Sequence, residues 1–111
     1  MITGAHVMLY STDADADRAF LRDVLELPNV DVGGGWLIFR LPPSEMAVHP
    51  SEGNSHELYL MCDSIDATVA HIRASGFECG DPFDASWGRA TAVTMPGGGK
   101  LGIYEARHAR P

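Results

Sequence analysis

The sequence predicts an α+β fold made of two similar halves. Strand-like apolar runs alternate with two segments of helical spacing, and the pattern of the first half recurs in the second. The chain has 111 residues, of which 45% are hydrophobic and 21% charged, enough for one core and too few for two independent ones. We therefore expect one domain over residues 1–111, with repeat one at 1–50, repeat two at 55–106 and a frayed tail at 107–111.

The repeat appears as a constant offset of 51 residues without a gap. The offset relates residues of similar character in four pairs: Val7 and Leu58, Leu9 and Leu60, Leu21 and Ile72, and Trp36 and Trp87. It also relates His6 to Glu57, so the neighbouring His56 falls outside the repeated pattern. Each half should therefore place a polar residue at the same point of its first strand.

The first half is predicted to have the order β-α-β-β-β. A strand at 5–11 precedes a run of Ser, Thr and Asp that can cap a helix, and the helix continues to about Leu27. Strands then follow at 30–32, 36–41 and 45–49, separated by a triple-glycine turn at 33–35 and a turn at 42–44.

The second half repeats this order. A strand at 57–62 leads to the cap Asp63–Ser64 and to a helix that Gly76 should end. A weaker strand is expected at 77–79, a long turn at 80–86, and two strands at 87–94 and 100–105 around the turn PGGG.

Composition excludes several classes of protein. A formal charge of −7 with no basic stripe argues against nucleic acid as a partner. No run of about 18 apolar residues is present, which argues against a membrane span. Cys62 and Cys79 fit reduced thiols better than a disulfide, so we expect a cytoplasmic protein.

Alternation along the strands divides their side chains between two faces. One set is wholly apolar and should pack under the helices: Val7, Leu9, Met46, Val48, Leu58, Leu60, Cys62, Leu101 and Ile103. The other set mixes ionisable, aromatic and thioether groups: His6, Met8, Tyr10, Glu45, Ala47, His49, Glu57, Tyr59, Met61, Gly102 and Tyr104. This mixed face is either a ligand cleft or interface, or the solvated side of an antiparallel sheet; its many Met and Tyr residues favour the former.

The chain resembles the vicinal oxygen chelate superfamily, which includes glyoxalase I, bleomycin-resistance and fosfomycin-resistance proteins and extradiol dioxygenases. The resemblance covers nearly the whole chain and rests on AHVMLYSTDADADRAFLRDVLEL, GGGWLIFRLPPSEMAVHP, HELYLMCDSIDATVAHIRASGFE and WGRATAVTMPGGGKLGIYE. It implies a cupped, largely antiparallel mixed sheet with helices on its outer face. It also implies a homodimer in which both chains build each cleft around a small organic ligand.

The resemblance further implies four metal-ligand slots, which fall on His6, His49, Glu57 and Gly102. Three of these residues can bind a metal, whereas glycine has no side chain to do so. Two imidazoles and a carboxylate suit one divalent ion of Fe, Mn, Ni or Zn. The chain would then be a lyase, isomerase or dioxygenase acting on a small oxygenated substrate, with Glu57 as ligand or general base. No nucleotide cofactor is expected, because GGGK lacks the spacing of a phosphate loop.

The alternative is a metal-free protein that resembles the bleomycin-resistance type and sequesters an aromatic natural product or antibiotic. Its binding residues would be Met8, Tyr10, Trp36, Tyr59, Met61, Trp87 and Tyr104. Trp36 and Trp87 fit cleft walls and core anchors equally well. Gly102 favours this alternative, the His and Glu set favours the enzyme, and the residues alone specify neither substrate nor reaction.

Overall fold

The computed structural model describes residues 6–45, 47 and 50–109 of the chain. Within these residues the elements follow one another as α1 (Ala14–Asp23), β1 (Asn29–Asp31), β2 (Leu37–Phe39), β3 (Tyr59–Met61), α2 (Ile65–Ala74), β4 (Phe83–Ala85), β5 (Gly88–Thr94) and β6 (Lys100–Ala106). The predicted α+β class is confirmed. Neither helix is long and apolar enough to cross a bilayer, as each has ten residues.

Repeat two forms a four-stranded mixed sheet in the order β3-β6-β5-β4. β3 runs parallel to β6, and the other neighbours are antiparallel. The sequence missed β4, because Asp and Pro give this short edge strand the composition of a turn. The weak strand predicted at 77–79 is reduced to one bridge between Cys79 and Val93.

Repeat one is less regular. β1 and β2 form an antiparallel hairpin around Gly33, Gly34 and Gly35, whose φ angles of 132°, 62° and 83° favour glycine. The strand predicted at 5–11 is not formed over residues 6–11, and the strand predicted at 45–49 lies largely outside the described residues. Val7 and Leu9 are 46% and 38% exposed, although their repeat partners pack against the core.

The helix boundaries follow from capping groups. The carboxylate of Asp13 accepts a hydrogen bond from Ala16 N, and the hydroxyl of Ser64 accepts one from Ala67 N. Gly76 takes a φ of 90° after α2, as predicted. α1 ends at Asp23 rather than near Leu27, since Glu26 adopts a left-handed φ of 57°.

The core lies between the four-stranded sheet and the helices and joins the two repeats. Its buried cluster consists of Phe20, Ile72, Val93, Met95, Leu101 and Ile103. Phe20 comes from α1 of repeat one, and its ring centroid lies 4.8 Å from that of Phe77 in repeat two. The buried carboxylate of Asp17, also on α1, accepts a hydrogen bond of 2.8 Å from Gly97 N in the β5–β6 turn. α1 therefore packs on the sheet of the other repeat.

Candidate aromatic binding site

The register of repeat two sets the floor of the mixed face. β3 pairs with β6 so that Tyr59 lies opposite Gly102, while β5 places Ala92 opposite that glycine. Ala90 lies in turn opposite Tyr104. Cross-strand partners share a face of the sheet, so small residues surround the bases of the two tyrosines. Small side chains at these positions leave room above the sheet for flat rings.

Four aromatic side chains meet on this floor, and we call them the aromatic cluster: Tyr59, Phe83, Trp87 and Tyr104. Ring centroids lie 5.8 Å apart for Tyr59 and Tyr104 and 5.6 Å apart for Trp87 and Tyr104. Trp87 also lies 6.4 Å from both Tyr59 and Phe83. All four contacts are edge-to-face, with interplanar angles between 71° and 88°.

The aromatic cluster is substantially exposed. Phe83 is 54%, Trp87 41% and Tyr59 39% exposed to solvent. Exposed large rings grouped on one face of a small protein are typical of a binding surface. Edge-to-face rings leave parts of their faces uncovered, and a flat apolar molecule can stack on those faces.

Gly102 is explained by the ring that covers it. A Cβ atom placed on Gly102 would lie 2.6 Å from Cε1 of Tyr59, too close for any side chain unless the ring moves. The ring of Tyr59 therefore fills the space into which any side chain at the fourth metal-ligand slot would project. The residues at this slot do not fit a metal site.

The other predicted metal ligands are less well defined. His6 and Glu57 are both exposed, and His49 lies outside the described residues. Among the residues that the structure describes, no three His, Cys, Asp or Glu side chains lie close enough together to hold an ion. Glu105, on the opposite parity of β6, accepts a hydrogen bond of 2.9 Å from Ile65 N at the start of α2.

The structure brings together three of the seven predicted binding residues, Tyr59, Trp87 and Tyr104. Met61 lies opposite Tyr104 in the register and is half-buried. The remaining three belong to repeat one and are exposed: Met8, Tyr10 and Trp36. The guanidinium carbon of Arg18 lies 4.8 Å from the ring centroid of Trp36, so this indole contacts α1 and not the aromatic cluster.

Sequence reasoning missed Phe83 and the residues after β6. Phe83 lay in a segment read as a turn. The tail was expected to be frayed, yet Arg107 N donates a hydrogen bond of 2.9 Å to Trp87 O, and the Arg107 guanidinium donates one of 2.6 Å to Asp84. Tyr104 Oη lies 3.2 Å from Nε2 of His108. No local pattern in the sequence signals such long-range contacts.

Other chemical groups lie elsewhere. Burial raises the pKa of the Cys62 thiol above its ordinary value, which disfavours the thiolate that a nucleophile needs. Both cysteines are free thiols. Two open grooves lie on the surface. Arg73 and Phe77 line one of about 430 Å³, and Pro28 and Ile38 line another of about 340 Å³. Neither groove is lined by a residue of the aromatic cluster.

Comparison with known proteins gives relatives by structure only. No protein-family model matches the sequence, and no curated protein matches it. TnmS3, an antibiotic binding protein from Streptomyces sp. CB03234, superposes with a TM-score of 0.66 at 20% identity over 96% of this chain and 99% of that one.

Two further solved structures have other functions. A lactoylglutathione lyase from Agrobacterium tumefaciens has a TM-score of 0.61 at 18% identity over 93% of this chain and 92% of that one. The fosfomycin resistance protein FosX from Listeria monocytogenes has a TM-score of 0.63 at 16% identity over 96% of this chain and 95% of that one. The chain therefore has the fold of the vicinal oxygen chelate superfamily, which the sequence resemblance predicted.

Proposed function

We propose that this protein binds a flat aromatic small molecule on the aromatic cluster and does so without a metal ion. The observation that carries the proposal is the ring of Tyr59 over Gly102, because it replaces a ligand slot with an aromatic surface. Trp87 and Phe83 extend that surface and are both partly exposed. The structural likeness to an antibiotic binding protein supports the same proposal.

We further propose that the binding unit is a homodimer. One chain offers the aromatic cluster as an open surface, and a ligand held tightly by a protein is ordinarily enclosed on most sides. Repeat one presents exposed apolar residues at Val7, Met8, Leu9 and Tyr10. A second copy could cover these residues and supply the opposite wall of the cleft.

Fluorescence titration tests the ligand proposal, with 1-methoxypyrene as a flat apolar probe. Trp87→Ala should weaken binding at least tenfold, because it removes the ring that contacts three others in the aromatic cluster. Arg73→Ala is the control, since Arg73 lines the larger open groove. Unchanged binding by Trp87→Ala, or a loss caused by Arg73→Ala, would refute the aromatic cluster as the site.

The second candidate is a divalent-metal-dependent lyase, isomerase or dioxygenase acting on a small oxygenated substrate. His6 and Glu57 favour it, because they occupy equivalent positions in the two repeats and both side chains are exposed. With His49 they would form a set of three donors, and a bound ion would supply Lewis-acid polarisation. Tyr59 over Gly102 argues against it.

Metal content separates the two candidates. Untagged protein incubated with Fe, Mn, Ni or Zn should retain less than about a tenth of an equivalent if the binding proposal is right. A full equivalent that is lost in a His49→Ala variant would instead support the enzyme.

A further inference from the structure

Trp87 lies in the loop that joins β4 to β5, and this loop lacks the conformation that closes such a hairpin by itself. Ala85 pairs with Gly88, so only Ser86 and Trp87 connect the two strands. Two-residue loops usually form type I′ or II′ turns, and both types need a positive φ at the first loop residue. Ser86 and Trp87 have negative φ, because Glu26 is the one non-glycine residue with a positive φ in the described part of the chain. Contacts from outside the hairpin must therefore hold the orientation of Trp87.

Arg107, the residue after β6, makes three such contacts. Its backbone N–H donates a hydrogen bond of 2.9 Å to Trp87 O. Its guanidinium donates one of 2.6 Å to the Asp84 carboxylate and one of 3.3 Å to Ala85 O. One residue thus binds the last two residues of β4 and the loop residue Trp87 itself.

Close packing of β5 on β6 places Arg107 within reach of this loop. Gly88 begins β5 opposite Ala106, the last residue of β6. A Cβ atom on Gly88 would overlap the carbonyl oxygen of Glu105, so β5 needs a glycine at this point to approach β6 so closely. The residue that follows β6 therefore lies beside the residue that precedes β5, which is Trp87.

The effect of Arg107 should be local to the loop. Its ion pair with Asp84 should contribute little to the stability of the whole protein, since the two side chains are 47% and 63% exposed. The planar guanidinium nevertheless binds a carboxylate and a backbone carbonyl of one short loop at the same time, which restricts the loop to one geometry. Trp87 contacts the three other rings of the aromatic cluster, so its orientation sets the shape of that surface.

We infer that Arg107 is a positioning residue of the aromatic cluster: it fixes the orientation of the Trp87 indole, and ligand affinity depends on it. The effect on affinity rests on the proposed function, whereas the fixed orientation of Trp87 is a property of the protein alone. Arg107 acts through Trp87 and does not need to touch the ligand. The segment after β6 is thereby part of the binding site.

Two measurements test the inference, both in a Trp36→Phe background that leaves Trp87 as the one tryptophan of the chain. Trp36 contacts Arg18 of α1, so its replacement leaves the aromatic cluster intact. Time-resolved fluorescence anisotropy reports how far the Trp87 indole moves on the nanosecond timescale. Fluorescence titration with 1-methoxypyrene reports ligand affinity.

Arg107→Ala should weaken binding about fivefold, the effect of one hydrogen bond, and should increase the amplitude of the fast indole motion. Arg107→Lys keeps the charge but not the planar fork, so it should restore part of both. Arg22→Ala is the matched control. It removes an arginine that is 49% exposed and ion-paired with Asp23 on α1, and it should change neither measurement.

Unchanged affinity or unchanged indole motion in Arg107→Ala would overturn the inference while leaving the binding proposal standing. A lower urea midpoint of unfolding in Arg107→Ala than in Arg22→Ala would also overturn it, because Arg107 would then stabilise the fold as a whole. Failure of the probe to bind the natural protein would overturn the proposed function and the effect on affinity. Increased indole motion in Arg107→Ala would still support the positioning of Trp87 in that case.

Discussion

Gly102 determines what the mixed face can hold, because its missing side chain lets the ring of Tyr59 lie on the strand. The sequence alone showed that this position cannot supply a metal ligand, since that follows from residue type. It did not show that an aromatic ring fills the space, because the contact depends on the parallel register of β3 and β6. The residue type at position 102 predicted that no metal ligand is present there, and the pairing of β3 with β6 explains why an aromatic ring occupies the space instead.

Gly102→Ala should destabilise the protein by about 1–3 kcal/mol, since the added methyl group forces the Tyr59 ring to move. Urea denaturation measures the change. Gly99→Ala is the matched control, because its added Cβ would meet only Met95 Cε, at 3.5 Å, and should stay within about 0.5 kcal/mol. In a Tyr59→Ala background the cost of Gly102→Ala should largely disappear; an equal cost in both backgrounds would contradict the contact.

At the scale of elements, α2 and β6 are joined by Glu105. The side chain of Glu105 lies on the face of β6 opposite to the mixed face. There it caps the first turn of α2 together with Ser64. The helix itself was predictable from its cap, its apolar spacing and Gly76. The contribution of Glu105 was not, because a bond across 40 residues leaves no local pattern.

Glu105→Ala should lower the free energy of unfolding by about 1–2 kcal/mol, as it leaves the part-buried amide of Ile65 without its acceptor. Guanidinium denaturation followed by circular dichroism measures this loss. Glu78→Ala removes an exposed carboxylate elsewhere in the same repeat and should change little. Equal effects of the two substitutions would show that the Glu105 carboxylate contributes only surface charge.

Across the whole molecule, equivalent residues of the two repeats differ in burial. Leu58 and Leu60 pack against the core, while their counterparts Val7 and Leu9 are substantially exposed. The offset of 51 residues predicted the equivalence, and alternation predicted which side chains share a face. Neither signal indicates whether a face of the sheet is covered by the same chain. Periodicity shows which side chains share a face, but it does not show which residues pack against that face.

The proposed dimer should have a native mass about twice the 12.0 kDa of one chain. Tyr10→Asp should shift it toward the monomer, because Tyr10 is 95% exposed and a charge there opposes an apolar contact without disturbing the fold. Sedimentation velocity over a range of concentrations measures the shift. Ala70→Asp, on the exposed side of α2, should leave the mass unchanged; a monomeric natural protein would rule out a shared cleft.

Phe20 of repeat one packs among side chains of repeat two, so neither repeat should fold on its own. If the halves are expressed separately, repeat one exposes the Phe20 side chain and repeat two exposes the apolar residues that pack against it. Each fragment should therefore aggregate. A peptide-bond cut between residues 50 and 55 should be tolerated, with both pieces eluting together as one nicked particle.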